Sequence, residues 1–165
     1  MTTETIISGP LALILHWNGP LLDRLNITWS EGLASTPSPS GHARALQIAL
    51  DDYVAGRTVI WPDLPFDMDR LTPFHRTVLH ALRQIPSGTT LTYGQLAARS
   101  GNPKAARAIG RAMATNPWPL VYPCHRVIGS NGQLTGFSGS GGLDLKAFLL
   151  RHEGALPDEN QDRGA

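Results

Sequence analysis

The chain has 165 residues, of which 41% are hydrophobic and 16% are charged, so it can build a core and is not disordered throughout. Its length suits one ordinary domain or two small ones. The formal net charge is only +1, which taken as an average excludes a strongly basic nucleic-acid binder. The charge is unevenly distributed, however. Residues 1–69 hold three basic and eight acidic side chains, whereas residues 70–154 hold ten basic and two acidic ones. A basic half joined to an acidic half is typical of a module that faces a polyanion.

The sequence has one cysteine, Cys124, which excludes an internal disulfide and any zinc site with two or more cysteine ligands. No apolar run approaches the ~18–20 residues that span a membrane. Residues 1–7 lack the basic start and apolar stretch of a signal peptide. We therefore predict a soluble, cytoplasmic protein without metal, cofactor or membrane contact, in which Cys124 is a free thiol.

The first half predicts a small α/β scaffold. Two apolar segments, Leu11–Leu15 and Leu21–Ile27, flank an Asn-Gly-Pro turn signal and are typical of a hairpin. Residues 35–41 have the composition of a loop. A helix should follow, ended by Gly56, because five apolar residues share one face of it: Ala45, Leu46, Ala49, Leu50 and Tyr53. The segment 59–66 is broken by two prolines and can form at most an edge strand. We find no pattern typical of catalysis in this half.

The second half begins with a helix predicted at Thr72-Pro73, an N-cap followed by proline at the first helical position. A second short helix is predicted at 91–100 and a third at 104–114, with the turn Gly101-Asn102-Pro103 between them. Two short helices joined by a glycine-containing turn are typical of a helix-turn-helix unit.

The rest of the chain predicts mostly short elements. A short strand is expected at 120–122, and residues 127–134 suggest a hairpin or wing with an Asn-Gly turn. A glycine-serine loop at 136–142 leads into a last helix at 143–152. We predict three parts: an N-terminal α/β scaffold domain (1–69), a mainly helical DNA-binding domain (70–155) and a disordered tail (156–165).

The third helix of the second half is the predicted DNA-binding element. Lys104, Arg107 and Arg111 lie at i, i+3 and i+7 and so share one helix face, surrounded by alanine and glycine. A few cations on a surface of small side chains suit close approach to a groove and to phosphates, with weak sequence preference and salt-sensitive binding. The alternative is a solvated basic helix face without a partner.

The second candidate feature is Cys124 with its neighbours. His125 follows it directly and Arg126 adds positive charge, and cations near a thiol favour the nucleophilic thiolate. Histidine can take the proton, through a bridging water since neighbouring residues of an extended chain point apart, and a carboxylate should orient it. Asp144 and Glu153 are the carboxylates of this half. The alternative is an inert, buried cysteine.

The motif Pro-Cys-His-Arg-Val at 123–127, preceded by Asn116-Pro117 and by the segment GNPKAARA at 101–108, resembles the O6-alkylguanine-DNA alkyltransferases (methylated-DNA–protein-cysteine methyltransferases). The match runs without a gap over 74–137 and resumes at 142–154, about half of the chain. The resemblance implies an α/β fold with a small ribonuclease-H-like N-terminal domain and a winged helix-turn-helix C-terminal domain.

The resemblance also implies a function, DNA repair by direct damage reversal. Cys124 would accept an alkyl group from the 6-oxygen of guanine, and less readily from the 4-oxygen of thymine, after base flipping from the minor groove. His125 would act as the water-mediated base, oriented by Glu153, and Asn116 would hold the active-site segment. The transfer would be single-turnover. We expect a monomer on double-stranded DNA, cooperative along the duplex, and nucleoid-associated in a bacterium.

By the same resemblance, Arg107 would fill the space left by the flipped base and Tyr93 would rotate the nucleotide through its phosphate. The full set of expected DNA contacts is Tyr93, Lys104, Arg107, Arg111 and Arg126. The expected substrate pocket consists of Met113, Trp118, Val127, Phe137 and Ser138.

The chain departs from the family pattern near this pocket. Phe137 stands where many members have tyrosine, so a hydroxyl that could stabilise the departing guanine is absent. The 136–142 loop is longer than usual, and Trp118 replaces an aliphatic residue. We expect slower transfer or an altered lesion preference.

Three other functions compete with this one. A silent alkyltransferase-like protein that flags lesions would lack the acceptor cysteine, which is present here. A transcriptional regulator would need more base-reading side chains on the third helix. A cysteine hydrolase would need an oxyanion hole, which the sequence does not reveal.

Overall fold

The N-terminal part of the chain is a three-stranded antiparallel sheet in the computed structural model, which describes residues 1–157. Its strands are β1 (Thr2–Ser8), β2 (Leu11–Asn18) and β3 (Leu21–Trp29). The β2–β3 hairpin confirms the prediction. The sequence analysis missed β1, because its first residues are polar and only the pairing with β2 over its full length defines it as a strand.

One helix packs on this sheet. Helix α1 (Gly41–Val54) begins after Ser40, whose hydroxyl accepts a hydrogen bond from the amide of Ala43. Its buried face contains the predicted residues Leu46, Ala49, Leu50 and Tyr53, together with Ala43. The helix ends before Gly56, which has a φ of +74°. The segment 59–66 forms no strand and makes only an isolated bridge from Phe66 to Leu22.

The helical part begins with α2 (Pro73–Arg83), capped by Thr72 as predicted. Strand β4 (Leu91–Thr92) leads into α3 (Tyr93–Arg99), which has a capping box between Thr92 and Gln95. Helix α4 (Ala106–Ala114) begins two residues later than predicted, because the amide of Ala105 bonds to the carbonyl of Asn102 in a turn. Lys104 therefore lies in the turn and not on the helix.

Two strand predictions for the following segment are wrong. The chain at 118–122 is a turn in which Leu120 has a φ of +73°. Strand β5 (Val127–Ile128) pairs in parallel with β4 and forms no hairpin. The Asn-Gly turn does form, since the amide of Gly129 bonds to the carbonyl of Gln133. The chain then leaves the turn without a returning strand, because the carbonyl of Thr135 accepts hydrogen bonds from Tyr93 and Lys146.

The last element is α5 (Gly142–His152). The hydrophobic core runs without a break from the sheet through α1 to α2–α5, so both halves of the chain contribute to it. Backbone bonds also join the halves: Leu25 donates to the carbonyl of Pro117, and Ser140 donates to that of Ile27.

The domain boundary near residue 69 stays a prediction, and the predicted tail lies almost entirely outside the described residues. Within residues 1–157, no helix is long and apolar enough to cross a membrane.

Candidate active site

Cys124 opens a short 3₁₀ turn, Cys124–Arg126, and is not in the extended segment that we expected. The turn is closed by a hydrogen bond from the amide of Arg126 to the carbonyl of Pro123. Cys124 forms no disulfide and is 2% exposed. Its Sγ lies 3.5 Å from the hydroxyl oxygen of Ser138. Two of the predicted site residues are therefore neighbours.

Asn116 holds the segment before the cysteine. Its side-chain amide donates to the carbonyl of Tyr122 at 2.8 Å, and its side-chain oxygen accepts from the amide of Trp118 at 3.0 Å. Both bonds are buried. Leu120, between them, has the positive φ that non-glycine residues rarely adopt, so the tight turn needs such support. The contacts agree with the predicted role of Asn116 in holding this segment.

His125 and Glu153 form a buried pair. The ring Nε2 of His125 lies 2.7 Å from Oε1 of Glu153, and both side chains are almost completely inaccessible. Burial alone would raise the pKa of Glu153, but the charges and hydrogen bonds of His125 and Arg126 outweigh it and lower this pKa to about 2. Burial lowers the pKa of His125, and the charge of Glu153 offsets only part of this effect. The pair is therefore an ionised carboxylate and a neutral imidazole at neutral pH.

This charge state fixes the tautomer of His125. An ionised carboxylate can only accept hydrogen bonds, so Nε2 carries the proton and donates a hydrogen bond to Glu153. The other nitrogen, Nδ1, has a free lone pair and is buried without a hydrogen-bond partner among the described residues. A buried polar atom without a partner is uncommon and points to a function.

Arg126 belongs to the same buried network. Its Nε and Nη2 donate to the two carboxylate oxygens of Glu153, both at 2.9 Å, and its Nη1 donates to the carbonyl of Ile85 at 2.8 Å. Its side chain is 10% exposed. In this structure the guanidinium neutralises a buried carboxylate, and the DNA contact expected of Arg126 stays a prediction.

Tyr53 also contacts Glu153, although the sequence analysis had found nothing chemical in the first half. Its hydroxyl donates to Oε1 of Glu153 at 3.0 Å. Burial and the neighbouring negative charge raise the pKa of Tyr53, so it stays a donor. Tyr53 was predicted correctly as a core residue of α1. No local signal could reveal the contact, because its partner lies 100 residues away.

Lys146 is a second residue that the sequence analysis missed. It is completely buried, and its ammonium donates to the carbonyls of Val127 and Thr135 at 2.8 Å and of Gly136 at 3.0 Å. Burial lowers its pKa to about 8, and the nearby Cys124 thiolate would raise it. A signal existed in the sequence: Lys146 lies between Leu145 and Leu149 on the apolar face of α5.

The predicted DNA-binding face is exposed. Lys104, Arg107 and Arg111 are all accessible, whereas the opposite face of α4 buries Ile109, Ala112 and Met113. Tyr93 is half-buried, and its hydroxyl donates to the carbonyl of Thr135 at 2.7 Å. Tyr93 therefore contacts the residue that directly precedes the loop 136–142.

A cleft of about 420 Å³ opens beside Ser138. Its walls come from the end of α4 with the turn after it, from α2 with the residues before it, and from β3: Ala114, Thr115, Asn116, Pro117, His75, Arg70, Leu71 and Arg24. Phe137 is half-buried, and its ring packs over Gly139, where an added Cβ would lie 2.4 Å from the ring. The cleft and the thiol share Ser138, so this is the candidate substrate entrance.

The other predicted pocket residues are buried. Trp118 is completely inaccessible: its indole N–H donates to the carbonyl of Leu22 and its ring packs on Phe66 and Tyr122. Its bulk fills the core between the two halves, and its assignment to the substrate pocket stays a prediction. Val127 and Met113 are buried in the same core, and their place in a substrate pocket stays a prediction.

Comparison with known proteins identifies the family. The family model for the 6-O-methylguanine DNA methyltransferase DNA-binding domain matches residues 73–155. The methylated-DNA–protein-cysteine methyltransferase of Mycolicibacterium paratuberculosis is 45% identical over 152 residues, which are 89% of this chain and 89% of that protein. The protein of the same name from Salmonella typhimurium is 49% identical over 122 residues, covering 74% and 67% of the two chains.

Solved structures agree with these sequences. Mycobacterium tuberculosis OGT in complex with DNA matches with a TM-score of 0.73 and 37% identity, covering 93% of this chain and 92% of that one. Mycobacterium tuberculosis O6-methylguanine methyltransferase matches with a TM-score of 0.73 and 35% identity over 99% and 98% of the two chains. The mixed α/β architecture is therefore shared along nearly the whole chain. The chain belongs to the family of methylated-DNA–protein-cysteine methyltransferases.

Proposed function

We propose that the protein repairs alkylated DNA by moving the alkyl group from the 6-oxygen of guanine, and less readily from the 4-oxygen of thymine, to Sγ of Cys124. The observation that carries this proposal is the arrangement of His125 directly after the thiol. One ring nitrogen of His125 is held by an ionised carboxylate, and the other is buried and without a partner. This is the arrangement that a general base for a neighbouring nucleophile needs.

The thiol is activated by His125. Because Nε2–H of His125 donates a hydrogen bond to Glu153, the free lone pair is on Nδ1, which takes the proton of the Cys124 thiol through one bridging water. The low pKa of Glu153 keeps the carboxylate ionised, so it stabilises the imidazolium that forms. The ammonium of Lys146 adds a positive charge near the thiol.

The transfer is an in-line displacement at the alkyl carbon. The bond from Sγ to carbon forms as the bond from carbon to the guanine oxygen breaks, and the guanine leaves more easily when a donor protonates it or hydrogen-bonds its 6-oxygen and 3-nitrogen. The thioether product is not readily hydrolysed, so each molecule repairs one lesion.

The target base must leave the helix to reach a thiol that is 2% exposed. We infer that α3 and α4 act as a helix-turn-helix unit that binds the minor groove, with Arg107 in the gap and Tyr93 at the phosphate of the flipped nucleotide. The exposed cations of the turn and α4, next to small residues, support this orientation. The sheet with α1 would be the ribonuclease-H-like scaffold, and a monomer would bind double-stranded DNA.

The cleft beside Ser138 would receive the flipped base. Its volume of about 420 Å³ is comparable to that of small-molecule sites. Phe137 borders the entrance region and has no hydroxyl to donate to the departing guanine, so we expect transfer to be slower than with tyrosine at this position.

The test is a mass measurement. Purified protein is mixed with a duplex that carries one O6-methylguanine, and intact and peptide masses are recorded. We expect a gain of one methyl group on the peptide that contains Cys124, saturating at one per protein and absent from Cys124→Ser. Tight binding of the lesion without a mass change would overturn the proposal and indicate a lesion-flagging protein.

A further inference from the structure

The catalytic carboxylate is bound from both halves of the chain. Glu153 accepts from His125 and Arg126, which belong to the active-site turn, and from Tyr53, which lies on α1. Three donors converge on the same oxygen, Oε1: His125 Nε2 at 2.7 Å, Arg126 Nη2 at 2.9 Å and the Tyr53 hydroxyl at 3.0 Å. The donors of one acceptor share its electron density, so each weakens the others.

Tyr53 is held in place around this bond. Its ring packs against Trp61 and His152, with centroids 6.0 and 5.0 Å apart, and it is 5% exposed. Its own carbonyl accepts a hydrogen bond from Nε2 of His152 at 2.6 Å. The last two residues before Gly154 thus both bond to Tyr53, which fixes the end of α5 against α1.

We propose that Tyr53 is a positioning residue of the alkyl transfer, which sets the strength of the His125 base by competing with it for Oε1 of Glu153. The inference rests on the proposed function, because it concerns the same proton relay. It assigns the N-terminal scaffold a role in the chemistry beyond packing.

The competition predicts a direction. Without the Tyr53 hydroxyl, Oε1 interacts more strongly with Nε2–H of His125, so the imidazolium is stabilised and protonation of His125 occurs at higher pH. A stronger base also removes the thiol proton at least as well once it is neutral. Loss of the hydroxyl should therefore slow transfer at acid pH while leaving the alkaline plateau unchanged or slightly higher.

The experiment compares single-turnover transfer rates from pH 5 to pH 9 for the wild type and Tyr53→Phe, with a methylated duplex as substrate. We expect the acid limb of Tyr53→Phe to lie at higher pH, with rates there roughly three- to tenfold below the wild type, as for the loss of one ordinary hydrogen bond. A general loss of packing would instead lower the rate at every pH.

Trp61→Phe is the matched control. It disturbs the packing of the Tyr53 ring while keeping the hydroxyl, so it should lower the melting temperature and leave the position of the acid limb unchanged. An acid limb that stays in place in Tyr53→Phe, or moves to lower pH, would overturn this proposal. A wild type that transfers no methyl group to Cys124 would instead overturn the proposed function itself, so the two failures are distinguishable.

Discussion

The ammonium of Lys146 lies 2.8 Å from the carbonyl oxygen of Val127 and joins the strand after the active-site turn to the last helix. Two more carbonyls, of Thr135 and Gly136, accept from the same ammonium. All three N–H groups of the Lys146 ammonium thus donate to backbone carbonyls, and the buried side chain links three segments of the chain. It connects the thiol's turn, the loop beside the cleft and α5.

Replacing Lys146 with Met should destabilise the protein. The buried carbonyl of Val127 loses its donor, at ~1–3 kcal/mol, and the more exposed carbonyls of Thr135 and Gly136 each lose a hydrogen bond, at ~0.5–1.5 kcal/mol. Relief from burying a charge offsets part of this cost. We expect a net loss of about 2–4 kcal/mol in the free energy of unfolding, measured by urea denaturation. Lys104→Met is the control, because that lysine is exposed and should have little effect. Equal stabilities of the two variants would contradict the cross-link.

Glu153 should make stability depend on acid pH. Its folded pKa of about 2 is below the ordinary value of 4.5, so the unfolded chain binds its proton first. The stabilisation is therefore present above pH 4.5 and is lost as pH falls towards 2, with a size on the order of 3 kcal/mol. Glu153→Gln should be less stable at pH 7 and should lose less on acidification. Denaturation curves at several pH values measure this, and Glu31→Gln is the exposed control. If Glu153→Gln and the wild type lost the same stability on acidification, Glu153 would not be ionised in the folded protein.

Arg126→Met should reduce stability and not the salt dependence of DNA binding. Removing the guanidinium leaves the Glu153 carboxylate buried without its counter-charge, a change that costs ~3–5 kcal/mol in buried pairs. DNA affinity measured by fluorescence anisotropy over a range of salt, at a temperature where the variant is folded, should keep the wild-type slope. If the slope of log affinity against log salt fell by about one in Arg126→Met, Arg126 would contact a DNA phosphate after all.

Arg111→Ala should weaken DNA binding in a sequence-independent way. Arg111 is exposed on α4, and loss of one phosphate contact should lower the slope of log affinity against log salt by about one. The same measurement on Arg44→Ala, which removes an exposed cation from α1, provides the comparison. If both variants bind alike, α4 is not the DNA-binding face.

Phe137→Tyr should speed up transfer. Phe137 is the neighbour of Ser138, which lines the cleft, so we expect the added hydroxyl to donate to the departing guanine. One donor to developing charge is worth about tenfold or more in rate. Single-turnover rates on methyl and benzyl adducts would measure the gain for each lesion. Unchanged rates on both, in a variant of unchanged melting temperature, would show that the Phe137 position does not reach the leaving group.

The sequence predicts the elements that depend on local signals. Helix α2 begins at Pro73 as expected, because Thr72 caps it and proline suits the first position. The Asn-Gly turn also forms, but the strand before it pairs with β4 and not with residues after the turn. The local turn signal could not reveal that Tyr93 and Lys146 occupy the carbonyl of Thr135.

The site shows the same division between local and long-range information. Cys124, His125 and Asn116 lie close together in the sequence, and the structure shows the Asn116–Tyr122 and His125–Glu153 hydrogen bonds. Arg126 looks like a surface cation in the sequence, and only the folded chain brings Glu153 to it. Tyr53 and Lys146 carry no motif. The partner of Tyr53 is a distant carboxylate, and the partners of Lys146 are backbone carbonyls.

The burial of Cys124 has a consequence for which electrophiles it meets. A thiol whose alkyl product is permanent can react only once, so every encounter with a small oxidant or free alkylating agent would end the activity of that molecule. With 2% of the residue accessible and Ser138 next to its sulfur, the thiol is shielded from bulk solvent. Under the proposed function, this burial would reserve the single reaction of Cys124 for an alkylated base that enters through the cleft beside Ser138.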